Sequence, residues 1–301
     1  MMSTAPHLYT LTGNLLAERT LEFATWSPGR TQRAKREIFH TRGKGVNVSN
    51  MLTRLGAPTT ALIFAGGPAG AESEAWLRTR GISYRAFPTT AASRTGTVIW
   101  SDAQAETTFL GPDVPPDAAA VQACANFLDG LPDGHVLALC GSFPGWDGTG
   151  FEPLRAALKK WLIRGKLAVD AYGPPLAWLA QQPVDFIKIN GQEFDSFAPG
   201  GPLPERLRHA HKRGPVRRWI VTQGPEPVWL IDADGEPREF TPPRQQEISP
   251  TGSGDVLFAC LLHAHYGLGR PLADALPYAI PFAAANAAHP GVADFELPKV
   301  S

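Results

Sequence analysis

Long hydrophobic runs are missing from this sequence. None approaches the roughly 20 apolar residues that a helix needs to cross a bilayer, so no membrane-spanning helix is expected. The opening residues MMSTAPHLYTLTG lack a basic stretch followed by an apolar one, and no signal peptide is expected there. An excess of charge is missing too. The 28 Lys and Arg offset 28 Asp and Glu, which leaves no overall footprint for nucleic acid or an anionic membrane. One local exception, the basic stretch 30–44 (RTQRAKREIFHTRGK), reads on charge alone as a solvated strand or loop. Cysteine is scarce. Cys124, Cys140 and Cys260 are odd in number, far apart and flanked by apolar residues, which predicts buried free thiols in a reducing cytoplasm rather than a disulfide framework. Zinc-type spacings are absent as well. His209 and His211, like His263 and His265, sit two apart in segments that read as helix, where the rings point about 200° apart and cannot share a metal.

What the chain does have is core-forming material. Of its 301 residues 43% are hydrophobic, enough for a single α/β domain over residues 1–301. The 29 prolines and 30 glycines punctuate short elements and form no linker. LYTLT (8–12) reads as a strand. TLEF (20–23) and REIFH (36–40) flank the turn signal SPG as an antiparallel pair, and TGTVIWSD (95–102) with ETTFLG (106–111) reads as a hairpin. GVNVSNMLTRLG (45–56) reads as a helix stopped by Gly56, TALIFAGG (60–67) as a buried strand and ESEAWLRTRG (72–81) as a helix. From about residue 115 the pattern is regular: helices at 116–130, 151–164, 175–181 and 203–213 alternate with strands at 135–141, 166–170, 184–190 and 217–224. That alternation implies right-handed crossovers and a mainly parallel sheet covered on both faces, a three-layer α/β/α body. The early strand pairs break the rhythm and predict a small second sheet projecting from it.

In an open parallel sheet, ligands bind beyond the carboxyl ends of the strands. Several strands here end in Gly66-Gly67, Gly141-Ser142, Asp170, Asn190 and Thr222-Gly224. Singly these are ordinary turn residues; together on one edge they describe a cleft. The stretch ISPTGSGDVLFACLL (248–262) adds chemistry. Gly252 and Gly254 let backbone N–H groups face outward, and the helix beginning near Asp255 contributes its positive end, which makes an anion site. Asp255 by itself is open to two readings, a helix cap or a proton acceptor. A Walker-type loop is absent, since Gly43-Lys44-Gly45 lacks the upstream glycine and the following hydroxyl. No dinucleotide fingerprint occurs, and no nucleophile elbow surrounds Ser142 or Ser253.

These residues carry a resemblance to the phosphofructokinase B family of sugar kinases, within the ribokinase-like fold. That family's Gly-Ala-Gly-Asp signature stands here as Thr251-Gly252-Ser253-Gly254-Asp255, and its Gly-Gly-Lys-Gly-x-Asn-Val-Ala signature as residues 42–49, RGKGVNVS. FAGGPAG (64–70), CGSFPG (140–145), Val169-Asp170, KINGQE (188–193) and VTQGP (221–225) follow in the family's order. The resemblance implies a β-sheet lid, approximately 14–41 and 93–112, which covers the sugar site and pairs two subunits into a homodimer. It implies ATP and Mg²⁺ as cofactors and leaves a monovalent cation open. Asp255 would be the base, with the N–H groups of Gly252, Ser253 and Gly254 on the transferring phosphoryl group. Lys188, Asn190, Thr222 and Gly224 would line the nucleotide, with Asn286 near the adenine, and Glu193 would help place magnesium through water.

Within that family the motifs are most similar to the 1-phosphofructokinase and tagatose-6-phosphate kinase branch. The resemblance puts Lys44, Asn47 and Arg94 on a sugar phosphate, Gly43 and Ser142 beside the sugar, and Arg33 in the lid, reaching across the dimer. Three cations at motif positions favour an acceptor that already bears a phosphate, such as fructose 1-phosphate, fructose 6-phosphate or tagatose 6-phosphate. The chain departs from the pattern at three places. Glu18 stands where the branch has an aspartate that holds sugar hydroxyls, Arg42 replaces a glycine, and Gly224-Pro225-Glu226-Pro227 replaces a Gly-x-x-Gly loop. Two other readings remain: a kinase of an unphosphorylated sugar or nucleoside, and a non-catalytic sugar-phosphate or nucleotide binding protein.

Overall fold

The computed structural model describes residues 5–299. Strand β1 (Leu8–Thr12) enters the centre of the molecule and leads into β2 (Leu16–Phe23) and β3 (Arg36–Arg42), an antiparallel pair longer than the predicted one. Helix α1 (Lys44–Arg54), β4 (Thr59–Ala65), α2 (Gly67–Thr79) and β5 (Tyr84–Pro88) return the chain to the body. The hairpin β6 (Arg94–Ser101) and β7 (Gln104–Leu110) then leaves it again. The regular half follows: α3 (Ala118–Asp129), β8 (Val136–Gly141), α4 (Glu152–Arg164), β9 (Lys166–Ala171), α5 (Pro174–Leu179), β10 (Phe186–Asn190), α6 (Gly191–Phe197), α7 (Leu203–Arg213) and β11 (Trp219–Gln223). An antiparallel edge, β12 (Glu226–Ile231) and β13 (Pro237–Phe240), precedes the closing helices α8 (Ser253–Leu262) and α9 (Leu272–Ala287).

The large sheet has the order β13-β12-β11-β10-β9-β8-β1-β4-β5 and is parallel from β11 through β5. Both faces are buried at its centre, so strands such as β8 (VLALCG) are apolar throughout, whereas edge strands β5 and β13 carry exposed polar residues. In β8 the strand alternation sends Leu137 and Leu139 into one core and Val136, Ala138 and Cys140 into the other. The first core is packed by α3 and α4 through Val121, Leu128, Leu154, Leu158 and the fully buried Trp161. The second is packed by α1, α8 and α9 through Met51, Leu52, Phe258, Leu261, Leu276 and Ala279. All three cysteines are buried free thiols within these cores.

The smaller sheet has the order β3-β2-β6-β7. Its two antiparallel pairs are joined by parallel pairing of β2 with β6, from Leu16 opposite Arg94 to Phe23 opposite Ser101. This join fixes the lid as one sheet whose face covers a cleft, with β3 and β7 as its edges.

Candidate active site

Strand order reverses beside β1: the chain moves from β1 to β4 and β5 on one side, and places β8, β9, β10 and β11 on the other. The crevice beyond β1 and β8 is therefore a switch point where a parallel sheet leaves room for ligands. Gly43 begins α1 at a left-handed φ of 123°, and a Cβ there would stand 2.6 Å from Thr12 Cγ2. The glycine thus allows the chain to turn off the end of β3 against β1 and aim Lys44 and Asn47 into the crevice. Across it, Gly252 adopts φ 77°, and a Cβ there would meet Val292 Cγ1 at 2.3 Å. That turn exposes the start of α8. The N–H groups of Gly252, Gly254 and Asp255 have no backbone partner among the described residues, whereas the Ser253 N–H donates to Pro250 O at 3.2 Å. Of the expected Gly252, Ser253 and Gly254 set, Gly252 and Gly254 therefore keep their N–H groups available, as does Asp255, while that of Ser253 is engaged in the turn.

Two cavities meet at this loop. One, of about 540 Å³, lies under the lid and is lined by Glu18, Arg42, Gly43, Lys44, Asn47, Arg94, Ser142 and Asp255. The other, of about 580 Å³, runs along Lys188, Asn190, Thr222, Gly224, Gly252, Ser253, Gly254 and Asp255 to Ala283, Ala284 and Ala287. Lys44 and Asp255 line both. The altered loop after β11 is a tight turn in which Gln223 pairs with Glu226, with Gly224 at φ 61°.

Charge is concentrated at the junction. Asn47 Nδ2 donates to Asp255 Oδ2 at 2.7 Å, linking two motifs 208 residues apart. Burial, and then repulsion from Asp170, raise the Asp255 carboxyl to about 6 against the pull of Lys44, Asn47 and Lys188. Asp170, fully buried at the end of β9, receives Lys44 Nζ on Oδ1 and Lys188 Nζ on Oδ2, both at 2.8 Å. Burial works against its ionisation, but the two ammonium groups outweigh it and hold its carboxyl below the ordinary value. Lys44 also donates to Glu193 Oε1 at 2.9 Å. Burial pushes Lys44 down, yet Asp170, Glu193 and Asp255 together hold it above the usual range, so it stays cationic. Asp170 was visible in the sequence as a strand end and was not assigned to the site; its burial between two lysines gives it a place there. Glu193 also caps α6: its Oε2 accepts from Asn190 N, and its own N–H donates to Asn190 Oδ1. All four carboxylate oxygens of Asp170 and Glu193 are engaged by Lys44, Lys188 or the Asn190 N–H, so a role toward magnesium on nucleotide phosphates fits contact through water rather than direct ligation.

The remaining predicted residues divide clearly. Asn14 Nδ2 donates to Ser142 Oγ at 3.1 Å and to Asp113 Oδ1 at 2.8 Å, and Arg94 Nη1 reaches the same Asp113 oxygen at 2.8 Å. Glu18 is buried and accepts from Arg42 Nε on Oε1 at 3.1 Å, so two departures from the family pattern are partners in space. Arg33 is exposed in the connection between β2 and β3 and lines neither cavity. Asn286, expected near the adenine, also lines neither cavity. It is fully buried beneath the anion loop, where Nδ2 donates to Thr251 O at 3.0 Å and Ser253 Oγ at 3.1 Å and Oδ1 accepts from Ala293 N. The lid reaches the same loop through Glu106, whose carboxylate accepts from Ser249 Oγ and Thr251 Oγ1. Sequence reasoning missed this contact, because no local signal marks one strand carboxylate as facing a loop 145 residues away.

Known proteins share this sequence pattern and fold. A family model described as pfkB family carbohydrate kinase matches residues 14–299. The chain is 27% identical over 295 residues to the D-tagatose-1-phosphate kinase of Bacillus licheniformis, covering 95% of this chain and 94% of that protein. It is 24% identical over 295 residues to the 1-phosphofructokinase of Borreliella burgdorferi, covering 96% and 94%. Its fold matches phosphofructokinase-2 from Escherichia coli, solved in complex with potassium, with a TM-score of 0.86 at 19% identity over 95% of this chain and 94% of that one.

Proposed function

Because the chain belongs to the pfkB family of carbohydrate kinases, we propose that it transfers the terminal phosphoryl group of ATP to a hydroxyl of a ketohexose phosphate. The fold is ribokinase-like. The observation that carries this reading is the position of Asp255, which with Lys44 lines both the cavity under the lid and the cavity along the α8 loop. The acceptor occupies the lid cavity and ATP the other. As the acceptor oxygen bonds to the γ-phosphorus, the bond from that phosphorus to the β,γ-bridging oxygen breaks, ADP leaves and the hydroxyl proton passes to Asp255. An N–H at Gly252, Gly254 or Asp255, with the ammonium of Lys188 against Gly254, stabilises charge on the group in transit. Asn47 holds the Asp255 carboxylate in place. Magnesium on the ATP phosphates would be placed through water by Glu193 and would supply further neutralisation of phosphate charge.

A phosphorylated acceptor is favoured because the lid cavity gathers Arg42, Lys44, Arg80 and Arg94. The names of the tagatose-1-phosphate kinase and 1-phosphofructokinase relatives support the same class. The lid edge exposes Phe109 and Leu110, which favours a homodimer formed through β7 and neighbouring strands, with Arg33 reaching a partner's cleft; a sedimenting mass of one chain would argue against it. Buried thiols suit a cytoplasmic setting. Replacing Asp255 with Asn tests the assignment of the base. Turnover should fall by about 10²–10⁴, the usual loss with a general base, while acceptor and ATP still bind. Wild-type turnover in that variant would remove Asp255 from the role.

A further inference from the structure

We propose that Arg42, oriented by Glu18, is a specificity-determining residue that grips the phosphate already present on the acceptor; this rests on the reading of the chain as a phosphosugar kinase. Arg42 is the last residue of β3, and its neighbour Gly43 turns the chain into α1. In the β2–β3 register Leu16 lies opposite Arg42 and Glu18 opposite His40. Glu18 and Arg42 are therefore diagonal neighbours on one face of the lid, the face that lines the sugar cavity. Both side chains are only 10% exposed.

The manner in which this guanidinium is used points to a ligand. Its Nε donates to Glu18 at 3.1 Å. Its two terminal nitrogens have no partner among the described residues, and neither is sealed from the cavity. Other cations of the cavity are already engaged by carboxylates through their terminal nitrogens. Lys44 is held by Asp170 and Glu193, Arg80 by Asp294 at 2.8 Å, and Arg94 by Asp113 at 2.8 Å. Glu18, and at longer range Asp294, offset the charge of Arg42, while its two terminal nitrogens remain available to an anionic ligand in the cavity. Fixing Nε on a carboxylate stops the guanidinium from rotating and leaves its outer edge as a planar fork, the geometry that accepts two oxygens of one phosphate. Glu18, with Oε1 occupied by Arg42, keeps Oε2 for a sugar hydroxyl. The two departures from the family pattern thus form one device in which Glu for Asp and Arg for Gly act together.

A purely structural role, in which Arg42 only neutralises a buried carboxylate, makes a different prediction, and a substitution series separates the two. In Arg42→Gln the KM for a phosphosugar should rise about 10- to 100-fold, the scale of a lost charge-assisted hydrogen-bond pair. The KM for ATP should stay within about twofold, which shows that the fold and the nucleotide side are intact. Arg42→Lys should recover part of the loss. An unchanged phosphosugar KM in Arg42→Gln overturns the proposal, as does a parallel loss for phosphorylated and unphosphorylated sugars. Calorimetric titration of wild type and Arg42→Gln with fructose 6-phosphate and with fructose keeps this test separate from the reading of the reaction. If wild type turns over no phosphosugar but binds fructose 6-phosphate in an Arg42-dependent manner, the reaction assignment fails and the anion site stands. If wild type binds the two sugars equally, the anion site fails.

Discussion

At Asp255 a single carboxylate answers to four neighbours, and its chemistry follows from their balance. Burial and Asp170 favour the protonated form, whereas Lys44, Lys188 and the Asn47 amide favour the ionised one. The result, a carboxyl raised to about 6, suits the proposed role of a base near neutral pH. As a base Asp255 must be ionised, so kcat/KM for the acceptor should fall as pH drops through about 6. A pH–rate profile of wild type flat down to pH 4 would contradict this. The stability linkage has the opposite sign: a carboxyl raised on folding stabilises most below its unfolded value, and that contribution is lost as pH rises through about 6. The sequence marked Asp255, Lys44 and Asn47 because each sits in a motif that bends the backbone with glycine. It could not mark the Arg42–Glu18 and Lys44–Asp170 pairs. Those partners lie 24 and 126 residues apart, and only the tertiary fold decides which carboxylate meets which cation.

Elements set these residues in place, and their legibility varied with their physics. VLALCG and KLAVDA are buried along their whole length or nearly so, and an apolar run of that size bounded by turn residues has few other fates. The join of β2 to β6 left no trace in the sequence, because parallel pairing between distant strands depends on no local turn. Helix α9 was hidden by Pro277 and Pro281, which local rules read as breakers. Packing of Leu272, Leu276, Ala279 and Ile280 into the core with α8 overrides them. Short α6 is held by its capping box, where Asn190 and Glu193 act as cap residues as well as site residues. The α8 entry is the element on which the anion site depends. Gly252→Ala should force Val292 aside and strain the left-handed turn, lowering kcat by about 10²–10³, comparable to loss of an oxyanion donor. Circular dichroism would verify that the fold persists, and an unchanged kcat would show that the turn is dispensable.

For the whole molecule, the arrangement is a parallel sheet whose switch point opens two cavities, with a second sheet placed over one of them. The lid adds Glu18, Arg42 and Arg94 to one wall and touches the α8 loop through Glu106, so the proposed acceptor and phosphoryl-transfer sites share a boundary. On the proposed reading such a site selects acceptors by charge, through Arg42, Lys44 and Arg94 on its walls. The most direct measurement is ADP release from ATP and magnesium with a panel of ketohexose phosphates, including fructose 1-phosphate, fructose 6-phosphate and the tagatose phosphates, alongside free sugars and nucleosides. Turnover confined to the phosphosugars is the predicted result. Turnover on uncharged acceptors alone, or ATP binding without ADP release on any acceptor, would contradict it.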